Sequence, residues 1–250
     1  MIIMKPALAI ALILVSIISS REIAHAQLNL SPKLSAEPPN LPPGTGKPDD
    51  RTPGGTRGPS CEKIAGVSFT PLLPVNNSGF SGYTLTGYPT FWFYVAYKIK
   101  DISGNFSLVD AKKNQVYQTT LKLPQTPGFV SISLPATEKP LEKNQAYRWT
   151  FTLNCPSSDP LDYPKVWHTG IVQRIDMPAL ENQLKTSKLE ERTKLYIANR
   201  IWYDAPTDVA KISERSHWLN LLKVIGLEEL EKEPIVGSIV PIEREINKQK

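Results

Sequence analysis

The stretch Ala146-Tyr147-Arg148-Trp149-Thr150-Phe151-Thr152-Leu153 decides the fold class. Tyr147, Trp149, Phe151 and Leu153 recur at a period of two, with Arg148, Thr150 and Thr152 between them. A strand sends successive side chains to opposite faces, so this pattern specifies one face in a core and one toward water. The alternation recurs in both directions from here. Tyr117, Thr119, Leu121 and Leu123 oppose Gln118, Thr120 and Lys122, and Val130, Ile132 and Leu134 oppose Ser131 and Ser133. Further strands are predicted at 64–70, 91–99, 104–110 and 165–175, with a weaker one near 82–86. Turn signals separate them, among them Asn76-Asn77-Ser78-Gly79, Ser103-Gly104-Asn105, Lys112-Lys113-Asn114 and Pro127-Gly128. Short, closely spaced strands without intervening helices predict a mainly β fold, an antiparallel β-sandwich over residues 61–176.

The run Phe91-Trp92-Phe93-Tyr94-Val95-Ala96-Tyr97 departs from this pattern, because both its faces are apolar. Phe91, Phe93, Val95 and Tyr97 are assigned to the inner core. Trp92 and Tyr94 then point outward, and a sheet does not usually present such rings to water without cause. Either another part of the chain covers them or a ligand does.

Residues 177–232 switch to a helical period. Ser187-Lys188-Leu189-Glu190 reads as a capping box opening a helix over about 188–199, which Asn199-Arg200 ends. A second helix is predicted over about 204–214, with Pro206 in its first turn and Ala205, Val209 and Ile212 as its buried stripe. A third covers about 216–225, with Leu219, Leu222 and Ile225 inward and Gly226 as its C-terminal cap. The set is tetratricopeptide-like but too few in number to stand alone. It is expected to pack on the outer sheet face that carries Trp92 and Tyr94. Residues 233–250 read as a flexible tail.

The first 26 residues read as a signal peptide. Lys5 is a short basic start, Ala7 to Ile18 form an uncharged apolar run of twelve, and Ala24-His25-Ala26 fits a small-x-small cleavage site. A membrane span needs about 20 apolar residues, so no stable transmembrane anchor is expected after cleavage. Residues 27–60 hold eight Pro and five Gly among 34 positions and read as a disordered linker. Near its end Arg51, Gly54, Gly55 and Arg57 offer an anion-binding nest, although a flexible turn is the plainer reading. Export makes Cys61 and Cys155, the two cysteines, candidates for a disulfide around most of the sandwich.

Chemistry is harder to find. Loss of Lys5, Arg21 and Glu22 on cleavage takes the formal charge from +5 to +4, and the remaining lysines interleave with acids. No clustered basic stripe suits a nucleic acid. His168 and His217 lack partners at ligand spacing, so no metal is expected. No P-loop, G-x-G-x-x-G or G-x-S-x-G occurs, and no cofactor or catalytic residue is assigned.

The segments GGTRG (54–58), YPTFWFYVAY (88–97), YQTTLKLPQTPGFVSISLPAT (117–137), LYIANRIWYDA (195–205) and VIGLEEL (224–230) together resemble one family. It is the exported cyanobacterial family known as domain-of-unknown-function family 928. The resemblance spans residues 51–230. It implies a cyanobacterial source and a cell-envelope location, and it implies no activity. Pro206 departs from similar sequences, which continue the helix with an apolar residue.

These readings lead to a non-enzymatic exported protein, periplasmic or extracellular, whose sandwich and helical cap engage another envelope protein. A glycan is the alternative partner, stacked on Trp92, Tyr94 and Trp167, since flat, partly apolar sugar rings suit aromatic faces. A hydrolase using His168 with a nearby carboxylate is the least supported reading.

Overall fold

Alternation in the sequence becomes strand in the computed structural model, which describes residues 54–55, 68–76, 79–96, 102–155, 165–239 and 241–242. All of them belong to one unit, Ser35–Lys250. The signal peptide, most of the linker, Arg51, Arg57, Cys61 and Tyr97 lie outside the described residues.

The elements in chain order are β1 (Gly54–Gly55), β2 (Ser68–Pro71), β3 (Val75–Asn76), β4 (Gly79–Thr84), β5 (Thr90–Ala96), β6 (Ser103–Val109), β7 (Gln115–Lys122), β8 (Gly128–Ser133), β9 (Ala146–Asn154) and β10 (Lys165–Arg174). There follow α1 (Pro178–Thr186), α2 (Leu189–Ala198), α3 (Ala205–Val209), α4 (Arg215–Ile225), a 3-10 turn at Glu228–Leu230 and β11 (Ile235–Ser238). The larger sheet runs β3-β4-β10-β9-β6-β7, with β1 also on β10, and the smaller runs β11-β8-β5-β2.

The two sheets share one core. Phe93 of β5 meets Phe151 of β9 at 4.7 Å between ring centroids, and Phe91 meets Phe106 of β6 at 4.8 Å. The alternation of Tyr147, Trp149, Phe151 and Leu153 is reproduced residue for residue, each of them buried between half-buried neighbours. Large rings removed from water dominate such a core.

Strand direction departs from the antiparallel expectation. β4 runs parallel to β10, and β11 parallel to β8, so both sheets are mixed. Alternation reports which face a residue occupies and carries no information on direction. Both parallel pairs join segments far apart in the chain, as crossover connections require.

The last element also differs from expectation. Residues read as a tail form β11, Ile239 is buried, Pro241 bridges Leu121, and the Ile242 amide donates to the Thr120 carbonyl at 2.8 Å. The segment thus passes from the edge of the smaller sheet to β7 at the edge of the larger one. Its short β-rich run, Ile235-Val236, carries too little pattern to be read as a strand alone.

The helices follow the expected order with three corrections. α1 was not foreseen. Ser187 does not open α2, because its hydroxyl donates to the Gln183 carbonyl at the end of α1, and Lys188 precedes α2 without a side-chain cap. α3 ends at Val209, five residues before the predicted end, in 3-10-type turns that bond Lys211 to Asp208 and Ile212 to Val209. Gly226 does end α4 in the left-handed region at φ 70°, where a residue without Cβ is least strained.

Candidate functional site

The outward rings of β5 are covered. Trp92 is 8 % exposed and Tyr94 is 6 % exposed. Trp218 of α4 packs edge-on against Trp92 at 5.7 Å and against Phe129 at 5.1 Å. The Trp92 indole N–H donates to the Thr207 hydroxyl at 3.0 Å. Burial, together with Glu233 beside it, pushes the Tyr94 phenol up to about 12. Neither ring presents an open face on which a sugar could stack. Trp167, the third candidate, lies on β10, half-buried and away from this covered face.

The other sequence candidates are dispersed. Gly54 and Gly55 lie extended against Val166 and Trp167, so their backbone serves a ladder there. Their proposed partners Arg51 and Arg57 lie outside the described residues. Cys155 is buried at the end of β9, with no free thiol among the described residues. His168 sits 2 % exposed between Phe69 and Phe80, its Nε2 at 2.8 Å from the Phe69 carbonyl. That nitrogen therefore carries a proton, and the ring joins the two sheets. Among the described residues no group of three His, Cys, Asp or Glu side chains could hold a metal, and no helix is long and apolar enough to cross a membrane.

Sequence reasoning missed a polar seam where the helices meet the larger sheet. Asp204 accepts the Thr84 hydroxyl at 2.7 Å and the Leu85 amide at 2.9 Å. Burial raises its carboxyl to about 6, against those two hydrogen bonds. Arg192 of α2 pairs with Asp208 at 2.6 Å, and Lys211 reaches the same carboxylate at 3.0 Å. The Arg192 guanidinium also donates to the Tyr196 hydroxyl at 3.2 Å. The seam fastens α2 and α3 together and ties their connection to β4. An acid after an aromatic pair was the available signal, but its partners are about 120 positions away.

Among the described residues, an open strand edge lies elsewhere, at the β7 end of the larger sheet. β7 pairs with β6 along its length. On its free side Pro241 and Ile242 occupy only Leu121 and Thr120, and no described residue pairs with Gln115–Thr119. At the start of β7, where Gln115 and Val116 line it, is a groove of about 620 Å³, with Asp110, Lys112, Glu138 and Tyr147 also among its lining. The groove is built rather than slack. Asp110 accepts the amides of Lys112 and Asn114, each at 2.8 Å, which holds the turn in which Lys113 adopts φ 68°. Hydrogen bonds from Asn114 hold the Asp110 carboxyl below its ordinary value. Tyr147 accepts the Glu142 amide at 3.0 Å and so fixes the opposite wall. An unpaired strand edge offers backbone donors and acceptors, and a groove of mixed charge offers side-chain contacts.

A family-wide sequence profile matches residues 52–235, well over half of the chain. The chain belongs to the family described as Domain of Unknown Function (DUF928). No curated protein matches it. The DUF928 match takes in the groove, the seam around Asp204 and the helices over Trp92. It ends at Ile235, so the contacts of Pro241 and Ile242 with β7 lie beyond the DUF928 region.

Proposed function

We propose that this DUF928 protein is a non-catalytic module of the cell envelope, exported through its signal peptide, whose β-sandwich engages another protein. The observation that carries the reading is the edge position of β7, whose first residues Gln115 and Val116 line the mixed-charge groove. An extended polypeptide can add to such an edge through its backbone and place alternate side chains in the groove. The burial of Trp92 and Tyr94 supports a protein over a glycan, since it takes away two of the three rings a sugar would use. The place of His168, in the core against a backbone carbonyl, supports a structural over a hydrolytic role for that residue.

The same reading takes the source as cyanobacterial, Cys155 as bonded to Cys61, and the helices as a tetratricopeptide-like cap. A disulfide closing a loop of about 100 residues suits an oxidising compartment and is worth roughly 4–5 kcal/mol in the chain-entropy treatment.

Site-specific photocrosslinking in the native envelope tests it. A photoreactive residue at Gln118, on the open edge, is expected to give a discrete adduct with one protein. The same residue at Lys194, exposed on α2, is expected to give none. Absence of a protein adduct at Gln118, or equal adducts at both places, would count against the proposal.

A further inference from the structure

We propose that the outward face of the larger sheet is a binding surface for an acidic polysaccharide, stacked on Trp167 and held at its carboxylates by Lys122 and Arg148. The proposal does not rest on protein binding at the edge of β7. Alternation turns Tyr147, Trp149, Phe151 and Leu153 into the core, so Arg148, Thr150 and Thr152 point the other way. Strand pairing extends these positions into rows across the sheet. Thr120, Asn105, Thr152 and Trp167 stand side by side on β7, β6, β9 and β10. Gln118, Ser107, Thr150 and Thr169 form the next row, and none of the eight is buried. The outward face of the smaller sheet is the opposite case, with Trp92, Tyr94 and Ser131 all buried.

The chemistry of this face suits a sugar chain that carries negative charge. Its polar side chains are held in place by bonds within the sheet. The Thr120 hydroxyl donates to the Asn105 Oδ1 at 3.0 Å, and the Thr169 hydroxyl donates to the Trp149 carbonyl at 2.8 Å. Hydroxyls and amides so bonded keep lone pairs and amide hydrogens for sugar hydroxyls. Trp167 supplies the flat, partly apolar ring on which a sugar can stack. Its neighbour on β1 is Gly54, which has no side chain to cover the indole. Charge then selects among glycans. β6, β7, β9 and β10 contain no Asp or Glu. Lys122 on β7 and Arg148 on β9 bracket the two rows at opposite ends. Neither is paired with a carboxylate among the described residues. Burial pulls the Arg148 guanidinium below its ordinary value, with no carboxylate to offset it. An acidic chain supplies that counter-charge, and a neutral glycan does not.

The test is affinity electrophoresis of the full chain in gels that contain polygalacturonate, its neutral methyl ester or polyglutamate. Polygalacturonate is expected to retard the protein, and the other two to retard it far less. Trp167→Ala is expected to weaken the retardation about fivefold, by loss of the stacking ring. Lys122→Gln and Arg148→Gln are each expected to weaken it about twofold, as for single exposed or half-exposed charge pairs. Lys122 is exposed, so its replacement tests the surface without disturbing the fold. Absence of retardation by polygalacturonate overturns the proposal. So does retardation that is unchanged in Trp167→Ala, or unchanged in both charge variants. Equal retardation by polyglutamate would reveal attraction of any polyanion in place of sugar recognition, and overturns it as well.

Discussion

The Trp149 indole N–H donates to the Tyr203 hydroxyl at 2.6 Å, deep between the two sheets. Tyr203 in turn donates to the Ile171 carbonyl at 2.9 Å and packs on Phe91 at 5.3 Å. One residue of the segment linking α2 to α3 thus closes the polar contacts of both β9 and β10. Burial raises the Tyr203 phenol, so it stays a neutral donor.

Tyr203→Phe keeps the ring and removes the hydroxyl. The Trp149 N–H and the Ile171 carbonyl are then buried without this partner, at a cost of about 2–3 kcal/mol. Denaturant unfolding of the variant should show a lowered midpoint with an unchanged slope. A midpoint equal to that of the native chain would contradict this account of the contact.

Asp204 makes stability depend on pH. Its folded value, about 6, lies above the ordinary carboxylate value near 3.9. A raised carboxyl favours the folded state in its protonated form. Its contribution is complete below about pH 4 and is lost as pH rises through 6. Stability measured from pH 4 to 7 should therefore fall more steeply in the native chain than in Asp204→Asn. A steeper fall in the Asn variant would reverse the sign and refute the argument.

Trp218 holds the helices over β5. Trp218→Ala is expected to cost about 3–5 kcal/mol, since it empties the space against Trp92 and Phe129. Trp218→Phe should cost far less, because the Trp218 indole N–H is buried without a hydrogen-bond partner. Equal losses in thermal or chemical unfolding would show that the indole N–H matters after all.

Two glycines should respond for different reasons. A Cβ on Gly170 would run into the Trp149 indole and the Phe80 carbonyl, so Gly170→Ala overpacks the core by about 1–3 kcal/mol. Gly226 has open space around a Cβ but a φ of 70°, so Gly226→Ala costs only backbone strain, about 1 kcal/mol. Paired unfolding curves check the ranking, which fails if Gly226→Ala is the more damaging change.

Much of this was legible beforehand. Alternation placed β9 and β7 with the correct faces, because sheet periodicity is local and a half-buried strand must write it into consecutive residues. In β8 it placed Val130 and Ile132 inward, but the opposite face, with Phe129 and Ser131, is buried as well. Gly226 was legible as a helix end for the same reason, since its left-handed turn needs no distant partner. The double-sided apolar run 91–97 correctly signalled that the outer rings require a cover.

What the sequence by itself determined was therefore the local layer: strands, their buried faces, three of the four helices, and membership of a β-rich family. Tertiary structure alone decided the parallel pairing of β4 with β10, the seating of Tyr203 and Asp204, and which residues, Trp218 and Thr207, cover Trp92. It also decided that, among the described residues, β7 lies at an edge of the larger sheet. These features depend on which distant segments meet, as when Thr84 meets Asp204, and no periodicity along the chain encodes a partner 120 residues away.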